Sequence, residues 1–277
     1  MMTSLSDSST TSENIRFQRV GVSKTLSEWV GWSPFLYTNA GKTCEIKGVK
    51  RGDEKKVLKI FHPTVKDEVI KNEIEIHSSL KHESILPLVE YKERSIMFDY
   101  VSRDLEKAVN RCNNDLIKKW MRQLVSAVSY IHSKGVLHND IKPANILLDE
   151  NNNIFLCDFG GAQKMSEVKE MKYYTPAYCA PELLSGLVKR NSMIATTKTD
   201  IWSLGCVLYF LLTGEDLFFT NSVTDVLEGI EQSDVADFVN LVFYDKEVDL
   251  LLSRMLEIDP EKRATLEEIA NHPYLKK

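Results

Sequence analysis

The character of the sequence changes near Tyr100, and that change limits the folds open to the chain. Before this point, short runs with strand-type alternation (FLYT, TCEIKGVK and KKVLKIF) are separated by turn sequences, and one helical pattern runs from Val65 to Leu80. Another predicted strand pair follows, around Leu86–Tyr91 and Ser95–Tyr100. After it, apolar residues recur at helical spacing from Asp115 to Ser133, and the pattern beyond about residue 195 is mostly helical. We therefore predict an α+β fold with two lobes, a small β-rich lobe with one main helix and a larger, mainly helical lobe.

Both lobes are predicted to belong to one domain over residues 15–277, the small lobe covering about 15–100 and the larger one about 101–277. Residues 1–14 are rich in Ser and Thr and poor in apolar side chains, a composition typical of a disordered segment. Trp29 and Trp32 indicate some burial just before the first predicted strand.

Charge and cysteine usage narrow the classes of function. A net charge of −5 at pH 7 does not fit the basic surplus of a nucleic-acid-binding protein, so no nucleic acid is expected as a partner. The five cysteines are scattered without a C-x-x-C pair, and the first residues lack the apolar stretch of a signal peptide. We expect the cytoplasm, with the nucleus as the alternative, and not secretion. The longest apolar run, Ile201–Leu212, is too short to span a bilayer and suits a buried helix.

The strongest functional signal is the octapeptide HNDIKPAN, from His138 to Asn145. A predicted hairpin follows it, with strands Ile146–Leu148 and Ile154–Leu156, and then comes Asp158-Phe159-Gly160. The hairpin would bring Asn145 and Asp158 close together. Taken alone, the octapeptide is also compatible with a polar loop before a hairpin.

Further polar residues occur in a fixed order around this octapeptide. Lys59 lies in a predicted strand and Glu73, fourteen residues later, in the predicted helix. Each of these two is, by itself, most simply a solvated side chain. Four more polar residues follow Asp158 in the sequence: Thr175 and Glu182 in TPAYCAPE, Asp200 in DIWSLG, and Arg263 in DPEKR.

The ordered set resembles the eukaryotic-type protein kinase family, in its serine/threonine-directed form, over about residues 30–275. HNDIKPAN is similar to the family's catalytic loop, H-R-D-L-x-x-x-N. The resemblance implies ATP and Mg²⁺ as cofactors and phosphoryl transfer to Ser or Thr hydroxyls of a protein substrate. It makes Asp140 the catalytic base and Lys142 the residue that neutralises the γ-phosphate. Asn145 and Asp158 become the metal ligands.

The resemblance also assigns the nucleotide-binding residues. Lys59 would contact the α- and β-phosphates and pair with Glu73. Met97–Val101 would be the hinge, with Phe98 behind the adenine and the backbones of Asp99 and Val101 bonded to it. An ordinary buried strand is the alternative for this segment.

The same resemblance assigns roles in substrate binding and support. Thr175 would lie beside Asp140 and Lys142, which indicates Ser/Thr rather than Tyr specificity. Asp200 would anchor the catalytic loop from a buried helix, and Arg263 would pair with Glu182.

Two departures from the family pattern concern nucleotide binding and activation. The glycine-rich loop is degenerate, because YTNAGKTCE keeps Gly41 alone. This predicts weaker ATP affinity, or a loop that orders only with nucleotide. Asn139 stands where the family has the Arg that receives an activation-segment phosphate, which makes the chain a non-RD type. We expect activity without phosphorylation of that segment.

Three smaller features leave alternatives open. His77, one turn after Glu73, replaces an apolar residue and is predicted to stack toward Phe159 as a core histidine, with a pH-sensing role as the alternative. Cys157 is either a reactive thiol near ATP or small core filling. Asp104 either contacts ribose or a basic substrate residue, or caps a helix.

The main functional alternative is a pseudokinase, a nucleotide-binding scaffold or interaction module with the same fold. Loss of the glycines favours the pseudokinase slightly. Retention of the polar residues favours an enzyme, and these are Lys59, Glu73, Asp140, Asn145 and Asp158. A small-molecule phosphotransferase is disfavoured, because the segment from Thr175 to Glu182 and Arg263 suit a platform for a protein substrate.

Overall fold

The computed structural model describes residues 28–37, 41, 43–109, 113–167, 174–189, 194–220, 222–232 and 246–276. The predictions for residues 1–14 and 15–27 lie outside these ranges. The α+β fold with a β-rich lobe and a larger helical lobe is confirmed. Within the described ranges, no helix combines the length and the apolar character needed to cross a membrane.

The small lobe is a five-stranded antiparallel sheet in the order β1-β2-β3-β5-β4. A helix, α1, connects β3 to β4. The tight turn between β2 and β3 is made by Gly52, whose φ of 60° is the left-handed conformation that glycine adopts at little cost. These elements are β1 (Ser33–Tyr37), β2 (Cys44–Arg51), β3 (Glu54–Phe61), α1 (Asp67–Ser79), β4 (Leu88–Lys92) and β5 (Ser95–Asp99).

Strand β3 has different surroundings on its two faces. Because side chains alternate along a strand, Val57 and Lys59 line the cleft between the lobes, while Leu58 and Ile60 point to the outer face of the sheet. Trp29 covers that outer face: it is 3% exposed and donates from Nε1 to Ser95 Oγ at 3.0 Å. The sheet therefore has an apolar layer on its outer side as well.

The larger lobe is built around two long helices, α3 and α5, which pack against each other. It also contains short strands, of which β6, β8 and β9 form one sheet and β7 and β10 another. Its elements are β6 (Arg103–Asp104), α2 (Leu105–Ala108), α3 (Asn114–Ser133), β7 (Val136–Leu137), β8 (Ile146–Leu148), β9 (Ile154–Leu156), β10 (Gln163–Lys164), α4 (Pro181–Val188), α5 (Thr197–Thr213), α6 (Val223–Gln232), α7 (Lys246–Met255), α8 (Leu266–Ala270) and α9 (Pro273–Lys276).

Helix α5 is buried on nearly every face, which confirms the prediction from its continuous apolar run. Thr196 caps its start by accepting from Lys198 N, and Gly214 ends it at a φ of 81°. The absence of a side chain at Gly205 allows close packing, since a Cβ there would lie 2.7 Å from Leu256. A helix fixed in this way is a rigid support for the residues that it carries.

The predicted strand from Leu86 to Tyr91 differs from the observed β4, which starts at Leu88. The reason is tertiary: Leu86 N donates to Leu156 O at 3.0 Å, and Leu156 N donates to Ser84 O at 2.9 Å. The segment before Pro87 thus pairs with β9 of the larger lobe rather than with β5.

Candidate active site

A cavity of about 390 Å³ lies between the two lobes, large enough for a nucleotide-sized ligand. Its roof is formed by Leu36, Cys44, Ile46 and Val57 from the first three strands, and Leu147 of β8 lies on the opposite side. An apolar slot of this kind, closed above and below, suits a flat aromatic ring.

The predicted hinge residues lie along one wall of the cavity. Phe98 is 6% exposed at the end of β5, and Asp99 and Val101 also line the cavity. The Asp99 carboxylate faces away from the apolar slot, because its Oδ1 accepts from Lys56 Nζ at 2.6 Å. The backbone of this segment is therefore the part that remains available to the cavity.

Three charged side chains meet at the inner end of the cavity. Lys59 Nζ lies 2.6 Å from Glu73 Oε1 and 2.6 Å from Asp158 Oδ1. Burial works against the charge on Lys59, but the two carboxylates outweigh it and raise its pKa above the ordinary value. Burial also disfavours the Asp158 charge, yet Lys59 lowers the pKa of Asp158 to about 2. Burial raises the pKa of Glu73, with Lys59 acting against the rise, so two carboxyl groups face a single lysine at this point.

Asp158 is held in an unusual backbone conformation, with a φ of 61°. Phe159 follows it, is fully buried, and packs between the rings of His77 and His138, with centroids 4.6 Å and 4.8 Å away. The predicted stacking of His77 toward Phe159 is thus confirmed. Burial lowers the pKa of His77 to about 4, so this histidine is neutral in the core at neutral pH.

The loop from His138 to Asn145 is anchored by Asp200 of α5. Asp200 is fully buried and accepts from the backbone N–H groups of His138 and Asn139, each at 2.9 Å. A third contact joins its Oδ2 to His132 Nε2 at 2.8 Å. Although burial opposes the charge, the bond from His132 and the neighbouring groups lower the pKa of Asp200. A buried carboxylate with three partners fixes the loop in one position.

Asp140 lies at the centre of a compact polar group. Its Oδ1 accepts from Thr175 Oγ1 at 2.7 Å, and its Oδ2 accepts from Lys142 Nζ at 2.8 Å. Lys142 also donates to Thr175 Oγ1 at 2.8 Å, which closes a triangle. Asn145 Nδ2 donates to both the backbone O and the Oδ2 of Asp140, at 2.8 Å and 2.9 Å. Every polar atom of the Asp140 carboxylate is thereby oriented.

The start of the segment after Asp158 is held by side chains from both lobes. Asn139, at a φ of 66°, donates from Nδ2 to Gly161 O at 3.0 Å. Asn72 of α1 donates to Ala162 O at 3.1 Å, and Lys164 forms an ion pair with Glu75 of the same helix.

The far end of that segment is fixed by a buried ion pair. Arg263 donates from Nη1 and Nη2 to the two carboxylate oxygens of Glu182, at 2.8 Å and 2.9 Å. Its remaining donors bind backbone carbonyls of Lys198, Glu257 and Ile258. A bidentate pair with all donors satisfied is the arrangement in which a buried arginine is stable.

The residues around the cavity fit magnesium and a nucleotide. Cys157 N donates to Asn145 O at 3.0 Å, which ties the two hairpin strands together beside Asn145 and Asp158. The part of the chain that the structure describes holds no group of three or more His, Cys, Asp or Glu that could bind a metal without other ligands. Mg²⁺ is commonly held by one or two protein oxygens together with substrate phosphates. Asn145 and Asp158 are such oxygen donors.

The structure bears on two residues whose roles the sequence leaves open, Cys157 and Asp104. Cys157 lines the cavity, but burial raises the pKa of its thiol and its Sγ donates to Asn145 O, so the thiol is not activated. Asp104 caps α2, accepting from Lys107 N at 2.9 Å, and it also lines the cavity. Gly41 is described, whereas Thr38–Ala40 and Lys42 lie outside the described residues.

Sequence reasoning missed several residues of the site. The sequence pattern places Leu147 in a strand and gives it no further role, although it lines the cavity on the side opposite the roof. His132 was not singled out, although it is the third partner of Asp200. A signal for Leu147 existed, since it lies two residues after Asn145 in a strand that must border the same cavity.

Comparison with known proteins identifies relatives for most of the chain. Residues 38–275 match the family described as Protein kinase domain. CBL-interacting serine/threonine-protein kinase 12 of Arabidopsis thaliana is 34% identical over 251 residues, which is 85% of this chain and 48% of that protein. Maternal embryonic leucine zipper kinase of Xenopus laevis is 33% identical over 223 residues, 74% of this chain and 32% of that protein. The chain thus matches about half the length, or less, of these curated relatives.

Proposed function

The chain belongs to the protein kinase domain family, and from this premise we propose that it is an ATP-dependent serine/threonine protein kinase acting in the cytoplasm. The proposal takes residues 15–277 as the kinase domain and residues 1–14 as a separate tail. Its substrates are proteins that present a Ser or Thr hydroxyl.

The observation that carries the proposal is the closed polar group around Asp140. Asn145 and Thr175 orient the two carboxylate oxygens, so the base is held in one geometry before substrate arrives. In the proposed reaction Asp140 orients the acceptor hydroxyl and holds its proton. Lys142, within 2.8 Å of the same carboxylate, stabilises negative charge beside it.

The cofactors are assigned to the inner half of the cavity. Mg²⁺ and ATP, when bound, supply the phosphoryl group and neutralise the charge that develops on it. Asn145 and Asp158 would hold the metal, and Lys59, oriented by Glu73, would bind the phosphates. The adenine would lie in the apolar slot beside Phe98, Asp99 and Val101, although Gly41 alone remains to support phosphate contact from the roof. These assignments make a scaffold without catalysis the weaker candidate, because such a protein would need none of them.

A phosphotransfer assay with ATP-Mg and generic protein substrates tests the activity. We expect Asp140→Asn to reduce the rate by about 10²–10⁴-fold, the usual contribution of a positioned acid–base group. Lys59→Met should also reduce it strongly. Asp53→Asn, an exposed aspartate in the turn between β2 and β3, is the matched control and should keep the rate of the native protein. Equal signals from all four proteins would overturn the proposal.

We further propose that activity does not depend on phosphorylation of the segment between Asp158 and Glu182. Asn139 carries no charge with which to bind a phosphate, and its amide is engaged by Gly161 O. Asn72 supplies a second uncharged contact to the same segment. Protein treated with a phosphatase, and verified as unphosphorylated by mass spectrometry, should retain its activity. Loss of activity that returns on rephosphorylation would contradict this.

A further inference from the structure

A histidine outside the cavity binds the turn that carries the only glycine of the nucleotide loop. His62 Nε2 lies 2.9 Å from Gly41 O. The backbones also pair, since His62 N donates to Thr43 O at 2.9 Å, and Gly41 N donates to Cys44 O at 2.8 Å. Gly41 is therefore held on its N–H side by β2 and on its carbonyl side by His62.

His62 is itself fixed by an arginine from the turn between β4 and β5. Arg94 Nη2 donates to His62 O at 2.6 Å and to Val65 O at 2.8 Å. Its Nη1 binds the carboxylate of Asp67, in the first turn of α1. A chain of polar contacts thus runs from Gly41 through His62 and Arg94 to the helix that carries Glu73.

The hydrogen bond between His62 and Gly41 fixes which ring nitrogen of His62 carries a proton. Gly41 O can only accept a hydrogen bond, so His62 Nε2 must carry the proton that it donates. The neutral ring with a proton on Nε2 and the doubly protonated ring both satisfy this requirement. The turn is also tight, because a Cβ added at Gly41 would lie 3.3 Å from Cys44 O.

The position of this turn matters because the two sides of the loop reach the cavity. Leu36, before the loop, and Cys44, after it, both line the cavity roof, whereas His62 does not. A loop with three glycines can wrap phosphates closely by its own backbone, but this loop has one. A side-chain contact that holds the loop backbone in place lowers the cost of ordering the loop when a nucleotide binds.

We propose that His62 is a positioning residue for the polyphosphate of the nucleotide, acting through Gly41. The assignment rests on the proposed ATP-binding function of the same cleft. By one side-chain bond, His62 holds the backbone of a loop that lacks the other glycines of the family pattern.

Direct binding measurements test the proposal without requiring turnover. With ATP-Mg in isothermal titration calorimetry, we expect His62→Ala to raise the Kd about fivefold, the effect of one lost hydrogen bond. His62→Gln, which keeps a donor on a side chain of similar reach, should recover most of the affinity. Adenosine, which lacks phosphates, should bind His62→Ala and the native protein equally. His82→Ala, a histidine that binds Ser126 instead, is the matched control.

Steady-state kinetics provide the second measurement. His62→Ala should raise KM for ATP by a similar factor while kcat and KM for the protein substrate stay within twofold. An unchanged Kd for ATP-Mg in His62→Ala, or an equal loss of adenosine binding, would overturn the role of His62. Native protein that binds ATP-Mg but transfers no phosphoryl group would overturn the proposed kinase activity and leave the role of His62 standing.

Discussion

The floor and the roof of the cleft are held in place by different kinds of interaction. The floor, meaning the catalytic loop from His138 to Asn145, is bound by the buried carboxylate of Asp200. The roof, meaning strands β1 to β3, is held from outside by apolar packing under Trp29. Polar contacts therefore fix one wall of the site, and hydrophobic contacts cover the other.

The difference matches the work that each wall is proposed to do. Hydrogen bonds are directional, so three of them on Asp200 fix both the position and the orientation of the loop that carries Asp140. Hydrophobic packing is not directional, so the cover of the roof does not fix orientation in the same way. The proposed chemistry thus depends on the directional contacts of the floor.

The largest effect is expected when the floor loses its anchor. Asp200→Ala leaves the buried N–H groups of His138 and Asn139 without acceptors and removes the partner of His132. At roughly 1–3 kcal/mol for each unsatisfied group, we expect a loss of about 4 kcal/mol in the free energy of unfolding. Urea denaturation measures the loss, and phosphotransfer should fall with it even below the unfolding transition.

Two further variants test whether the loss of stability comes from the anchoring contacts of Asp200 in particular. Asp200→Asn keeps one acceptor oxygen and should lose less stability than the alanine variant. Asp115→Ala, which removes an exposed aspartate at the start of α3, should stay within about 0.5 kcal/mol of the native protein. If Asp200→Ala were no less stable than Asp115→Ala, the anchoring role of Asp200 would be wrong.

The next largest effect is expected when the roof loses its cover. Trp29→Ala opens a cavity over Leu58, Ile60 and Met97 and leaves Ser95 Oγ without its donor. We expect a loss of about 3 kcal/mol in the free energy of unfolding, at the lower end for a buried tryptophan. Because the packing is not directional, the kcat of the protein that remains folded should change little.

Trp32 supplies the control for this cover. It is half-buried, and Arg51 lies over its ring at 4.7 Å, so Trp32→Ala should cost only about 1 kcal/mol. Trp29→Phe, which keeps an aromatic ring but loses the bond to Ser95, should fall between the two alanine variants. Equal losses at Trp29 and Trp32 would show that the outer face does not depend on Trp29 in particular.

The floor was easier to predict from the sequence than the roof. The chemistry of the floor requires particular residue types at nearly fixed spacing, as in HNDIKPAN and the later Asp158-Phe159-Gly160. The alternation of β3 likewise predicted a strand that carries Lys59. Such signals are local, and a pattern along the chain is enough to reveal them.

The supports of the roof leave no pattern of this kind. His62 reaches Gly41 across 21 residues, and Trp29 reaches Ser95 across 66, through contacts that any donor of the right size could make. The start of β4 was misplaced for the same reason, because the backbone of Leu86 bonds to Leu156 in the other lobe. Tertiary contacts decide these positions, and the single sequence does not encode them as a motif.

The smallest of the expected effects concerns His77, which lies where the floor and the roof of the cleft meet. His77 donates from Nε2 to Leu86 O at 2.6 Å, while its Nδ1 is buried without a partner. Burial lowers its pKa to about 4, against about 6.5 in the unfolded chain. Lys59 and His138 act in the same direction, whereas the hydrogen bond to Leu86 O and the charge of Asp158 oppose the shift. Below pH 6.5 the unfolded chain therefore binds a proton that the folded protein does not, and stability falls as the pH approaches 4.

Replacing His77 removes this pH dependence. At pH 5 the difference in protonation costs the native protein about 2 kcal/mol relative to pH 8. In His77→Leu we expect the drop in the free energy of unfolding between pH 8 and pH 5 to shrink by that amount. His77→Gln should show the same smaller drop, although a buried amide will make it less stable at neutral pH. The prediction is wrong if the free energy of unfolding falls as steeply between pH 8 and pH 5 in both variants as in the native protein. That result would mean that His77 is protonated as readily in the folded protein as in the unfolded chain, and that its surroundings are open to water.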